Sequence, residues 1–101
     1  AYQKQSGRCF YCNHPMWENF MEMYACRYKM TREQAQMMRS TGEHLKPHSE
    51  GGSAKADNIV AACHYCNEKR HQGSENYSPN RFKAFVKNQL NQGLWNECLF
   101  S

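Results

Sequence analysis

Hydrophobic and polar positions divide this chain into three stretches of different period. Trp17, Phe20, Met21, Tyr24 and Tyr28 recur at i, i+3, i+4, i+7 and i+11, a helical stripe that turns one face to a core. Pro15 stands where such a helix would open, since its fixed φ suits a first turn. A run of aromatics at this spacing could also offer a surface to nucleic-acid bases, but core packing is the expected use. Thr31 with Gln34 forms a capping box, and Ala35, Met37 and Met38 give a second, weaker helix that ends before Gly42. Further on, Ser78-Pro79 supplies an N-cap and a first-position proline. In the helix they open, Phe82, Phe85, Val86 and Leu90 share a face, Arg81, Lys83 and Lys87 lie off it, and Gly93 ends it. Trp95, Leu99 and Phe100 are expected to pack back against the body.

Between these helices the pattern shortens. Glu43-His44-Leu45 and Asn58-Ile59-Val60-Ala61-Ala62 read as two short strands. The polar segment joining them carries Gly51-Gly52 and is longer than a tight hairpin needs, a feature of loops with a function. A helix then starts around Cys63–Cys66 and continues through Asn67, Lys69, Arg70 and His71 to stop near Gly73. The expectation is an α+β fold in one domain, 1–101. Its parts are a helical insert over 13–40, a strand–strand–helix unit over 41–73 and a C-terminal helix over 78–93.

Composition changes this picture in two places. The 101 residues carry 13 Lys and Arg against 9 Asp and Glu, a net charge of +4 that suits a polyanionic partner without requiring one. No apolar run approaches the roughly 20 residues of a membrane span. No basic start leads into an apolar stretch, so neither a membrane nor a secretory route is expected, and a cytoplasmic setting is. Six cysteines in so short a chain would suit a secreted disulfide scaffold, but their placement argues otherwise. Cys9 and Cys12 form one C-x-x-C, and Cys63 and Cys66 form another. Two such knuckles present four thiolates to a tetrahedral Zn²⁺, with paired disulfides as the alternative. Cys26 and Cys98 belong to neither knuckle and are expected to be buried free thiols.

The chemistry gathers between residues 43 and 67. Glu43-His44, Pro47, Gly51-Gly52, Asn58, Cys63 and Cys66-Asn67 follow one another in an order that resembles the HNH, or ββα-metal, nuclease family. A Glu-His pair alone is ordinary surface polarity, and a single Asn is uninformative; the order and separation of the whole set carry the resemblance, which covers residues 8–71. It implies a DNA endonuclease in which His44 is the general base, a role imidazole suits because it titrates near neutrality. It makes Glu43 and Asn67 ligands of a divalent cation, and Asn58 a residue that ties down the loop and steadies the base. His71, four residues beyond Asn67 on the same helical face, reads either as a further ligand or as a side chain meeting solvent or phosphate. Carboxylate and amide oxygens suit Mg²⁺, whereas an added imidazole favours Mn²⁺ or Ni²⁺. Lys69 and Arg70, and Lys46 in the loop, read either as a solvated face or as contacts to phosphates.

Two departures from the family pattern stand out: Glu rather than Asp at 43, and the long Met- and aromatic-rich insert between Cys12 and Gly42. The resemblance implies a bacterial or phage setting and double-stranded DNA as substrate. One site cuts one strand, so a double-strand break needs a homodimer or two successive nicks, and cutting would either have low intrinsic specificity or take its specificity from a protein partner. A zinc-stabilised module that binds nucleic acid without cutting it is the rival reading, and it has no use for Glu43 beside His44. A third reading is a protein-interaction domain built on the aromatic insert.

Overall fold

A computed structural model describes residues 1–44, 59–72 and 78–100, with His44 described in its backbone alone. In chain order the elements are α1 (Met21–Tyr28), α2 (Arg32–Gln36), β1 (Ser40–His44), β2 (Ile59–Cys63), α3 (His64–Gln72), α4 (Pro79–Asn91) and a closing 3₁₀ turn, Glu97–Phe100. β1 and β2 pair antiparallel, with Ser40 opposite Cys63 and His44 opposite Ile59. α3 follows β2 without an intervening residue and lies against both strands. This is the α+β arrangement, strand–strand–helix with flanking helices, that the sequence predicts.

Local chemistry explains most of the boundaries. Thr31 caps α2 through a complete capping box, its hydroxyl accepting from the Gln34 amide at 3.1 Å while the Gln34 side chain accepts from the Thr31 amide at 2.9 Å. Ser78 accepts from the Arg81 amide ahead of Pro79. Gly93, at φ 70°, takes the left-handed conformation just past α4, so its amide can reach back to the Leu90 carbonyl.

The first helix departs from expectation. Pro15 does not open it; α1 starts at Met21, because the preceding backbone is already spent on extended pairing. Pro15 bridges Arg8, the Trp17 amide donates to Met38 O, and the Ser40 amide donates to Trp17 O. A helix through this stretch would forfeit those bonds. Phe20, placed on the stripe by spacing, is instead the left-handed residue before α1 and is 73% exposed. Trp17, Met21, Tyr24 and Tyr28 still pack on the core.

That core runs from the first knuckle (Cys9, Tyr11, Cys12) through Met16, Ala35 and Met38 to Ala62, Cys63 and Cys66, and is closed by Phe82 and Val86 of α4. Phe85 lies at its rim, more exposed than its neighbours on the helix face. The edge of β2 is covered by a side chain imitating a strand: the Gln5 amide donates to Ala61 O and accepts from Ala61 N, both at 2.8 Å. Among the described residues, no helix is long and apolar enough to cross a membrane.

Candidate metal centre and polar site

The two knuckles meet. Sγ atoms of Cys9, Cys12, Cys63 and Cys66 all lie within 4.8 Å of one another, and all four residues are buried. A tetrahedral ion with metal–sulfur bonds of about 2.3 Å needs sulfur–sulfur edges of about 3.8 Å. The Cys12–Cys63 separation of 3.9 Å fits that edge and is far too long for a disulfide. All four are free thiols. Their protons show the strain of proximity: hydrogen bonding with Cys63 holds the Cys12 thiol far below the ordinary cysteine range, while burial pushes Cys66 far above it. Four buried sulfurs cannot all ionise unless a cation sits among them, and a structural ion of the zinc type, held by these four residues, would supply that charge. Backbone donors are already aimed at the sulfurs. The amides of Tyr11, Cys12 and Cys63 point to Cys9 Sγ, and that of Cys66 points to Cys63 Sγ.

A polar site lies between β1 and α3. Thr41 and Glu43 are two residues apart on one strand, so they share the face that meets the helix. Asn67 and His71 are four apart on α3 and share the face that meets the strand. Asn67 Nδ2 donates to Thr41 Oγ1 at 2.9 Å, and Thr41 Oγ1 donates to Ala62 O at 2.7 Å. Glu43, only 4% exposed, accepts on Oε1 from Arg70 Nη1 and lies 2.9 Å from His71 Nε2. Its second oxygen, Oε2, is buried and meets no hydrogen-bond donor among the described residues. A buried carboxylate with one oxygen clamped and the other unserved is an acceptor waiting for a positive group.

Of the residues singled out from the sequence, the structure brings Glu43, Asn67, Arg70 and His71 to this one junction. Lys69 is exposed on α3, its ammonium 5.4 Å from the Tyr65 ring centroid. His44 is the last residue of β1. Asn58 and Lys46 lie outside the described residues, as do Pro47 and Gly51-Gly52. Arg70, read from sequence as a solvated or phosphate-contacting side chain, is 11% exposed and turned onto Glu43. Cys26 and Cys98, expected to be buried, are both exposed. Cys26 falls on the outer face of α1, where its neighbours Met23 and Arg27 also meet solvent, and Cys98 lies on the outside of the closing turn.

Sequence reasoning missed three residues beside the sulfurs. Trp95 Nε1 donates to Cys66 Sγ at 3.2 Å, and Asn96 Nδ2 donates to Cys12 Sγ at 3.4 Å. The nearby Cys12 side chain holds the His14 pKa above the ordinary histidine range, and the ring lies tilted against Phe100 with centroids 4.6 Å apart. Only His14, two positions from Cys12, had a local signal that could have pointed to it.

Residues 25–73 match the HNH endonuclease family. That match begins past the first knuckle, so Cys9 and Cys12 join the site through the fold rather than through the matched segment. The chain is also similar to Anaredoxin of Nostoc sp. (strain PCC 7120), with 41% identity over 44 residues; the aligned part is 44% of this chain and 58% of that protein. The chain therefore spans less than two thirds of that relative. No solved structure matches significantly.

Proposed function

We propose, from the match of residues 25–73 to the HNH endonuclease family, that this protein is a metal-dependent DNA endonuclease acting as one domain over 1–101. The observation that carries the reading is the junction of β1 and α3. There a buried carboxylate, a helix amide and an imidazole converge, and the inner oxygen Glu43 Oε2 has no donor among the described residues. Hard oxygens with one nitrogen suit a divalent cation, Mg²⁺ with Mn²⁺ or Ni²⁺ as substitutes. In this reading Glu43, Asn67 and His71 hold the cation. Asn67 is oriented for that role, because its nitrogen is engaged by Thr41 and its carbonyl oxygen is the atom suited to a metal. His71, with a side chain 60% exposed, needs only to turn its ring from Glu43 Oε1 towards a shared ion.

When bound, such a cation would neutralise charge on the scissile phosphate and stabilise the departing 3′ oxygen. His44 takes the proton of the attacking water, Asn58 steadies the loop behind it, and Lys46 and Lys69 meet flanking phosphates. Arg70 reaches the phosphates less directly, since its guanidinium balances the charge of Glu43. A structural Zn²⁺ on Cys9, Cys12, Cys63 and Cys66 holds the start of α3, and with it Asn67 and His71, in place. Double-strand cleavage would take a homodimer or a second nick.

One observation favours a second reading. The Arg70 and His71 contacts could satisfy Glu43 as a permanent ion pair, leaving a zinc-stabilised module that binds nucleic acid without cutting it. Plasmid nicking with Mg²⁺ or Mn²⁺, with and without EDTA, separates the two. EDTA-sensitive nicking that is lost in His44→Ala supports the enzyme. Binding without nicking in any divalent metal overturns it.

A further inference from the structure

Two residues past α4, Trp95 and Asn96, reach the four-cysteine cluster. Trp95 Nε1 lies 3.2 Å from Cys66 Sγ; Asn96 Nδ2 lies 3.4 Å from Cys12 Sγ, 3.6 Å from Met38 Sδ and 3.9 Å from Cys63 Sγ. Asn96 is fully buried, and its Oδ1 has no hydrogen-bond partner among the described residues. A buried amide whose oxygen goes unserved costs free energy, so its nitrogen must face something that rewards a donor. Sulfur in a neutral thiol is a weak acceptor, whereas a thiolate accepts as an anion. The orientation fits the same argument: with the amide flipped, its carbonyl oxygen would face two thiolates. Trp95 is held independently of this contact, its ring lying edge-on to Tyr65, Phe82 and Phe85 at centroid separations of 5.2, 5.9 and 5.8 Å.

We propose that Trp95 and Asn96 are positioning residues of the metal centre, donating N–H···S bonds that hold Cys66 and Cys12 as thiolates around the ion and slow its release. The proposal rests on reading the four thiols as a metal site. Both residues lie beyond the segment that matches the HNH family, so the tail would be part of the metal centre rather than an appendage to it. Three consequences follow from the chemistry. Removing either donor leaves the four ligands in place, so metal still binds. It binds more weakly, because partners of this kind typically contribute about 10–100-fold to affinity. It also changes the sulfur electrons themselves: an N–H···S bond lowers the energy of the sulfur lone pairs, and its loss raises them towards the metal orbitals.

The test uses the full chain and two variants that remove the donors, Trp95→Phe and Asn96→Leu, loaded with Co²⁺ as a spectroscopic stand-in for zinc. Each variant should still bind one ion per chain. Its thiolate-to-cobalt charge-transfer band should move to longer wavelength, and its zinc should pass to a competing chelator at about tenfold lower chelator activity than in the wild type. A residue that acts by packing alone would leave the band where it is. Trp95→Phe keeps an aromatic ring beside Tyr65, Phe82 and Phe85 and carries the test by itself should Asn96→Leu fail to fold. Unshifted bands and unchanged zinc retention, in a wild-type protein that does bind cobalt, overturn the proposal. A wild-type protein that takes up neither ion overturns the metal reading beneath it.

Discussion

Replacing Arg70 by Met should cost this domain far more than the loss of one surface charge. The Arg70 and Glu43 side chains are 11% and 4% exposed, so their pairing belongs with buried ion pairs. Removing one member of such a pair usually costs about 3–5 kcal/mol, against about 0–1 kcal/mol for an exposed pair. In Arg70→Met, Glu43 would lean on His71, whose side chain is 60% exposed and offers a weaker, solvent-screened partner. That partial rescue places the expected loss at the low end of the buried range, about 3 kcal/mol. A chain of this length has about 5–15 kcal/mol of stability in total, so a loss of that size is easily read. Removing both charges in Glu43→Gln with Arg70→Met should cost less than Arg70→Met alone, because no buried carboxylate is left behind. The measurement is equilibrium urea unfolding with zinc held at a fixed saturating level, completed as a double-mutant cycle. A loss under about 1 kcal/mol in Arg70→Met would place the pair with surface contacts. Additive single and double variants would mean that the two side chains do not act on one another.

Cys63→Ser should leave the protein unfolded at ordinary temperature, because Cys63 both ends β2 and carries a knuckle sulfur; circular dichroism and about one zinc per wild-type chain by elemental analysis check it. His44→Ala should lower the cleavage rate by about 10²–10⁴ with DNA binding intact, measured in single-turnover nicking alongside filter binding. Asn67→Ala should depress cleavage and raise the divalent-metal concentration required. His71→Ala should act more mildly and shift preference towards Mg²⁺, and titrations with Mg²⁺, Mn²⁺ and Ni²⁺ that show no change would return His71 to a solvent role. Thr31→Ala should cost about 1 kcal/mol in thermal unfolding through the lost capping box, leaving metal content unchanged.

What could be read from the sequence was whatever is encoded over a few neighbouring residues. The two C-x-x-C knuckles, the Thr31–Gln34 box and the Ser78-Pro79 start each specify their own geometry, and each is found where the spacing places it. Asn67 and His71 share a face because four residues make about one helical turn. β1 was harder to see. Its first residues, Ser40, Thr41 and Gly42, carry no apolar signal, and the strand forms because β2 and the Trp17 segment claim its backbone. Pro15 misled for the same reason, since long-range pairing with Arg8 outweighed a local preference. The Arg70–Glu43 contact joins residues 27 apart, and Asn96 reaches a sulfur 84 residues away. No local period could announce either.

The direct passage from Cys63 into His64 sets a length rule. With no residue between β2 and α3, the rotation of the helix about its own axis is fixed by the strand that precedes it. One inserted residue would turn every later side chain of α3 by about 100° and advance it by about 1.5 Å. Asn67 would leave Thr41, His71 would leave Glu43, and Cys66 would swing from the other sulfurs in the same stroke. Substitutions at the exposed positions of α3 can be absorbed one at a time, but a change of chain length at this junction cannot be. Variation in this protein should therefore place replacements at the outward positions of residues 59–72, such as Glu68 and Lys69, and no insertions or deletions there.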